Sequence, residues 1–138
     1  MSRVEPAVGA VGPALERRIE LSDMVAYGGA TWDWHRLHYD PAYLAGRGLD
    51  RAVVDGQAFG AYLVEQLQDW LGPTAWVRKL NFRFKAMVFA GETIRVTGVV
   101  TAFERARGGT VTCTQQIHVD DRLCVDADAT VLLEGWNA

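Results

Sequence analysis

The segment from Gly56 to Leu71 decides most of what this chain can become. Phe59, Tyr62, Leu63, Val64, Leu67, Trp70 and Leu71 recur at spacings of three and four, the period of a helix. They cover much of the circumference, while Glu65, Gln66, Gln68 and Asp69 fall mostly elsewhere. Gly72-Pro73 stops the helix. A helix this apolar has to be surrounded, and no second helix follows to do it. From Ala75 onward every segment reads as strand. Trp76, Leu80, Phe82 and Phe84 alternate with Val77, Lys79, Asn81, Arg83 and Lys85, and Ile94, Val96, Gly98 and Val100 follow the Gly91-Glu92 turn. Val111, Cys113, Gln115, Ile117 and Val119 form a third run, and Leu123, Val125, Ala127, Ala129 and Val131 a fourth. Arg107-Gly108-Gly109 and Asp120-Asp121 read as hairpin turns. The expected fold class is therefore α+β: an antiparallel sheet, read as a four-strand meander with a short first strand, curled around the long central helix.

Upstream of that helix the signals are shorter. Residues 1–15 are rich in Gly, Ala, Val and Pro without periodicity and read as a flexible N-terminal arm, leaving residues 16–138 as a single domain. Arg17 to Leu21 alternates as a strand, Ser22 is placed to cap a helix from Asp23 to about Ala30, and Pro41 opens a short helix ended by Gly46 and Gly48. The net charge of −3 argues against nucleic acid as partner. No apolar run approaches a membrane span and no secretory pattern is visible, so a cytoplasmic protein without membrane partners is expected. Cys113 and Cys124 suggest neither a disulfide framework nor a metal cluster, and reduced, partly buried thiols are expected.

The chemistry-bearing residues gather in one stretch, Thr31 to Pro41, and at the start of the central helix. Asp33 and His38 stand five positions apart in a polar, aromatic-rich loop, flanked by Trp32, Trp34 and His35. Asp55-Gly56-Gln57 then opens the helix, where backbone N–H groups and the helix dipole favour negative charge. A carboxylate, an imidazole that exchanges protons near neutral pH, and a fixed positive dipole are what the addition of water to an activated double bond requires. Each residue also has a quieter reading. Asp33 can hydrogen-bond loop amides, His38 can be structural, Asp55 is a preferred N-cap, and His35 divides between pocket lining and loop bonding. Lys79, Arg83 and Lys85 share one strand face, with Arg78 on the other, and suit either phosphate groups or a solvated surface. His118 reads as solvated.

The loop resembles the motif of the MaoC-like (R)-specific enoyl-CoA hydratases: small residue, Gly, Asp, any, Asn, Pro, aliphatic, His, any, Asp. Thr31, Asp33, Leu37, His38 and Asp40 fit it, and Pro41 continues a common extension. Trp32 stands in place of the Gly, His35 and Arg36 in place of Asn-Pro, and Asp55 where the family usually carries His before the helix Gly. The likeness runs over about residues 17–133 and implies a hotdog fold. It implies that Asp33, His38 and Gly56 are catalytic, in hydration of trans-2-enoyl-CoA or the reverse dehydration. It implies a substrate surface of Trp32, Trp34, His35, Asp55, Gln57, Lys79, Arg83 and Lys85. No metal is expected, nor any cofactor beyond the coenzyme A of the acyl-CoA substrate. Aromatic-rich variants of this loop are similar to relatives acting on bulky acyl groups such as steroid side-chain thioesters, some of them hetero-oligomers. The expected assembly is a homodimer, or a heterodimer with a related hotdog subunit, because one small hotdog leaves sheet edges open. Two other functions fit: a hotdog thioesterase using Asp33 or Asp55 to activate water, and a non-catalytic subunit that completes a related chain's pocket.

Overall fold

The computed structural model describes residues 6–134. Five antiparallel strands, β1 (Leu15–Arg18), β2 (Trp76–Phe84), β3 (Thr93–Glu104), β4 (Thr110–Val119) and β5 (Arg122–Leu132), form one sheet. Three helices, α1 (Leu21–Thr31), α2 (Pro41–Gly46) and α3 (Ala58–Leu71), lie on its apolar face. The central helix is α3. Leu63 and Leu67 are wholly excluded from solvent, Leu63 in a cluster with Ile94, Val96, Ile117 and Val125, and Leu67 in one with Val100, Val111, Cys113 and Val131. Burial on that scale is worth about 2–3 kcal/mol for each leucine, which sets the helix inside the sheet rather than on it.

The sheet order is β1-β3-β4-β5-β2, not the meander expected of the sequence. A hairpin between β2 and β3 would need a tight turn, but eight residues, 85–92, separate them. That connection crosses the sheet and clamps the chain before α3: Val54 N–H donates to the Val88 carbonyl and Ala90 N–H to the Ala52 carbonyl. β2 consequently forms the far edge, paired with β5 from Trp76↔Leu132 to Phe84↔Val125. A bulge between Val77 and Lys79 breaks the alternation read from the sequence. Val77 thereby turns into the core and Trp76 out to solvent.

Residues 6–14 do not run free. Gly9 N–H donates to Val100, Gly12 N–H to Gly98, and Val100 N–H to Ala10, so this segment follows the edge of β3. The Trp70 ring lies so close over Gly12 that a Cβ there would meet it at 2.4 Å. The buried Gln66 and Gln115 tie the layers together: Gln115 Nε2 donates to Gln66 Oε1 and to the Leu63 carbonyl, and Gln66 Nε2 donates to the Pro13 carbonyl. Residues 1–5 of the expected arm lie outside the described residues. Helix α1 begins two residues earlier than expected. Glu20, not Ser22, is its N-cap, and the Glu20 N–H donates to Asp23 Oδ2 at 2.8 Å. No helix among the described residues is long and apolar enough to cross a membrane.

Candidate active site

The loop after α1 is aimed by its first residue. Trp32 takes the left-handed conformation, φ 59°, at the C-cap of α1. A side chain there costs about 1–2 kcal/mol, which is the physical reason for a glycine at that motif position. The Gly28 carbonyl accepts from both Trp32 N–H and Asp33 N–H, folding the chain back on the helix end. Gly28 permits this closeness, since a Cβ there would stand 2.9 Å from the Asp33 carbonyl oxygen. The loop then makes one 3-10 turn over Arg36–His38, with His35 Nδ1 accepting from Leu37 N–H. Asp40 caps α2 by accepting from the amides of Ala42 and Tyr43, and also binds Arg36. Trp32, Trp34 and Tyr39 stack edge to face along its outer side, with Trp32 79% exposed.

Asp33, His38 and Asp55 converge. One donor atom from each lies within 4.8 Å of the others, and no other three His, Cys, Asp or Glu side chains among the described residues come together in this way. His38 Nδ1 sits 2.7 Å from the Val53 carbonyl oxygen. A carbonyl only accepts, so Nδ1 carries the proton and Nε2 of the neutral ring is left as the acceptor. That Nε2 faces Asp55 Oδ2 at 3.8 Å. Asp55, buried at the start of the turn into α3, uses its other oxygen, Oδ1, to accept from Gln57 N–H at 3.0 Å. Asp33 Oδ1 accepts from His35 N–H.

The two carboxyls are not alike. A hydrogen bond with Asp55, followed by the His35 amide, holds Asp33 below the ordinary carboxylate range. Burial, followed by that same hydrogen bond, pushes Asp55 above it, against the pull of the Gln57 amide and His38. Two carboxyls this close oppose each other's ionisation, so Asp33 ionises the more readily and Asp55 the less. Burial and the nearby Asp55 and Asp33 also raise the Tyr27 phenol, so it stays a hydrogen-bond donor.

A cleft of about 390 Å³ opens beside the triad between α1 and α3, lined by Ala26, Tyr27, Ala30, Asp55, Ala58 and Tyr62 among others. That volume is in the range that small-molecule ligands occupy. Gly56 follows the cleft-lining Asp55 in the chain, and no hydrogen bond among the described residues uses its N–H. The ring of Phe84 covers Gly56, where an added Cβ would lie 2.6 Å from it.

The remaining sequence candidates are more dispersed. Trp32, Trp34 and His35 form the outer wall of the loop, His35 edge-on to Tyr43 and 5.9 Å from the His38 ring. Gln57 is exposed and contributes its amide to the Asp55 turn. Lys79 and Arg83 are exposed on β2, on the side opposite the core-packed Leu80 and Phe82, and Lys85 is exposed just past its end; Arg83 lies 3.9 Å from both Asp126 and Asp128 on β5. The bulge separates Arg78 from that row. Sequence reasoning did not single out Tyr27, the Val53 carbonyl or the Phe84 cover. Tyr27 was findable, one helical turn beyond the buried Met24 on the same face of α1. The other two depend on strand pairing.

Comparison with known proteins gives a consistent result. The family described as "MaoC like domain" matches residues 6–122. The 3-oxo-4,17-pregnadiene-20-carboxyl-CoA hydratase beta subunit of Mycobacterium tuberculosis is 27% identical over 95 residues, covering 69% of this chain and 74% of that one. Among solved structures, the (R)-hydratase of A. caviae involved in PHA biosynthesis superposes with a TM-score of 0.84 at 26% identity, covering 91% of this chain and 95% of that one. The ChsH1-ChsH2 complex of Mycobacterium tuberculosis gives a TM-score of 0.83 at 24% identity, covering 91% and 97%.

Proposed function

This chain belongs to the MaoC-like dehydratase family, and on that premise we propose that it adds water to trans-2-enoyl-CoA thioesters, giving 3-hydroxyacyl-CoA, or catalyses the reverse dehydration. The convergence of Asp33 and His38 on Asp55, which lines the apolar cleft and is followed by the unengaged Gly56 N–H, supports this reading. Asp33 and the Nε2 of His38 hold the water between them, and its oxygen attacks the β-carbon. The thioester oxygen gains enolate charge and is met by the Gly56 N–H in the turn leading into α3, a donor worth ~3 kcal/mol in the barrier. Acid–base assistance adds roughly 10²–10⁴-fold. Phe84 and the alanine-lined cleft keep bulk water from the enolate.

The acyl group we assign is bulky and ring-bearing. Alanines at positions 26, 30, 58 and 61 leave the cleft wide, and the relative from Mycobacterium tuberculosis is named for a pregnadiene carboxyl-CoA. Trp32 and Trp34 offer flat apolar surface at the mouth. Lys79 and Lys85 are the cations for the phosphates of coenzyme A, brought to the site by a neighbouring subunit across the open edge of β2. That neighbour is a related hotdog chain, a reading favoured because the relative is named as a beta subunit. The same name supports a second reading, in which this chain completes a related chain's pocket without doing chemistry.

The test is loss of enoyl absorbance with trans-2-enoyl-CoA substrates, short-chain to steroid, on wild type and Asp33→Asn, alone and co-expressed with a candidate partner. Activity that Asp33→Asn abolishes supports the hydratase. Activity of the pair that survives Asp33→Asn supports the completing subunit. Free thiol released without prior hydration overturns both in favour of a thioesterase.

A further inference from the structure

Deepening that hydratase reading, and resting on it, we infer that Arg36 and Arg47, which lie over the Tyr43 ring beside the catalytic loop, hold the phosphate groups of the substrate's coenzyme A. Coenzyme A carries a pyrophosphate and a 3′-phosphate, and a chain of net charge −3 has to gather local cations to bind them. Here two guanidiniums share one ring, Arg36 at 5.2 Å and Arg47 at 4.9 Å from its centre. A guanidinium on an aromatic face is held by its flat side, so the N–H donors around its edge stay unspent. Arg47 makes no side-chain hydrogen bond or ion pair among the described residues. Arg36 gives its Nε–H to Asp40 at 2.7 Å and keeps its two terminal amino groups. Asp40 in turn is shared with the amides of Ala42 and Tyr43. Other arginines are spent differently: Arg17 is paired with Glu65, Arg95 with Glu16 and Arg122 with Glu92. Arg36 and Arg47 are both exposed.

The pair of arginines is continuous with the site. The His38 ring lies 5.9 Å from the His35 ring, and His35 stands edge-on to Tyr43 at 5.7 Å. Three steps across neighbouring groups therefore lead from the imidazole to the guanidiniums. Even laid in a straight line they match the reach of the pantetheine arm, roughly 15 Å for a chain as long as four or five extended residues. With the thioester at Gly56 and the acyl group between α1 and α3, the arm leaves over the outer wall of the loop, past His35. Its phosphates then meet the edges of Arg36 and Arg47. Arginine suits this task because its fork makes two parallel, charge-assisted bonds to one phosphate. Lys79 and Lys85 of a neighbouring subunit meet the phosphate charge that these two leave open.

The test compares two thioesters of the same trans-2-enoyl group, one on coenzyme A and one on pantetheine, which has the arm without the nucleotide phosphates. Arg36→Gln and Arg47→Gln are each expected to raise KM for the coenzyme A thioester about tenfold, with kcat unchanged. KM for the pantetheine thioester stays where it was. Arg47→Lys, which keeps the charge and loses the fork, recovers part of the effect, and Arg95→Gln changes neither substrate. Equal rises for both thioesters, as a disturbed loop would give, overturn the inference, and so does no rise at all. A preference for the same enoyl group on an acyl carrier protein, lost in Arg47→Gln, also overturns it, in favour of an acidic carrier surface. Calorimetric titration with adenosine 3′,5′-bisphosphate needs no turnover. Binding that the double variant loses supports the site; binding that the double variant keeps, or none to wild type, overturns it. Wild type that hydrates no enoyl thioester, alone or with its partner, yet binds the bisphosphate through these arginines overturns the hydratase reading and leaves the phosphate site standing.

Discussion

Adjacent glycines on α1 make opposite predictions when each becomes alanine. Both sit inside the helix, where the exchange is worth up to ~1 kcal/mol in favour of alanine. At Gly29 the new Cβ meets only the Trp34 ring, at 3.7 Å, which is ordinary contact. At Gly28 it meets the Asp33 carbonyl oxygen at 2.9 Å and the Trp34 ring at 3.4 Å. The oxygen belongs to backbone, and that backbone is held by the Asp33 N–H bond to Gly28 itself. Relief requires the loop to retreat by roughly 0.5 Å, and it carries Asp33 with it. If a misplacement of 1 Å costs about 10²-fold in rate, half of that costs about tenfold. Gly29→Ala is therefore expected to raise the melting temperature by about 3 °C with kcat unchanged. Gly28→Ala is expected to leave the melting temperature nearly unchanged, propensity and crowding cancelling, and to lower kcat about tenfold. Thermal melts read beside the enoyl absorbance assay decide it. A Gly28→Ala protein as stable and as active as Gly29→Ala would refute the claim that this close approach sets the position of Asp33.

Trp32→Gly removes a left-handed tryptophan and its edge-on contact with Trp34 together. These nearly offset in stability, so KM is expected to rise several-fold at constant kcat; an unchanged KM removes Trp32 from the substrate surface. Glu92 concerns stability alone. Burial pushes its carboxyl up, but two contacts from Arg122, at 2.9 and 2.8 Å, and the Phe89 amide outweigh this and hold it below the ordinary range. A depressed carboxyl stabilises the fold above its unfolded pKa, and that stability is lost as the pH falls through the folded value. Glu92→Gln is expected to cost about 1 kcal/mol at neutral pH, Arg122 being half exposed, and to flatten the acid side of the melting profile. An unaltered acid side would show that the pair contributes nothing.

Much of this molecule was legible in the residue order because the signals were local. The apolar period of α3, the alternation of β3 to β5 and the opening of α2 at Pro41 each depend on neighbours a few positions away. Strand order was not legible: the link 85–92 carries a turn signal only at its end, Gly91-Glu92, and could as well have closed a hairpin as crossed the sheet. The bulge at Val77 and Lys79 likewise reversed the faces assigned to Trp76 and Val77, because alternation assumes an unbroken pleat. In the site, the Asp33-to-His38 spacing was readable; Asp55 was read as the helix cap, but the N-cap of α3 is Gln57, and Asp55 accepts from the Gln57 amide in the turn before the helix. Its second face, toward His38, was hidden because it depends on how the 3-10 turn packs against the start of α3. The Val53 carbonyl that fixes the His38 tautomer was invisible for the same reason, since backbone groups leave no mark on composition.

The far-edge position of β2 also sets a timetable for assembly. Its pairing partner is β5, so Phe84 finds Val125 only after the last strand has been made. During synthesis, α3 and its first flanking strand must wait, apolar and half-dressed, while β3 and β4 are added. The cover over Gly56 is a side chain of that waiting strand. A chain cut short before β5 would lose two strands rather than one, and with them the cover over Gly56, in a cluster whose Asp33 and His38 lie near the other end of the sequence. Non-local closure of this kind is slow and leaves apolar surface and an unpaired strand edge exposed until β5 arrives.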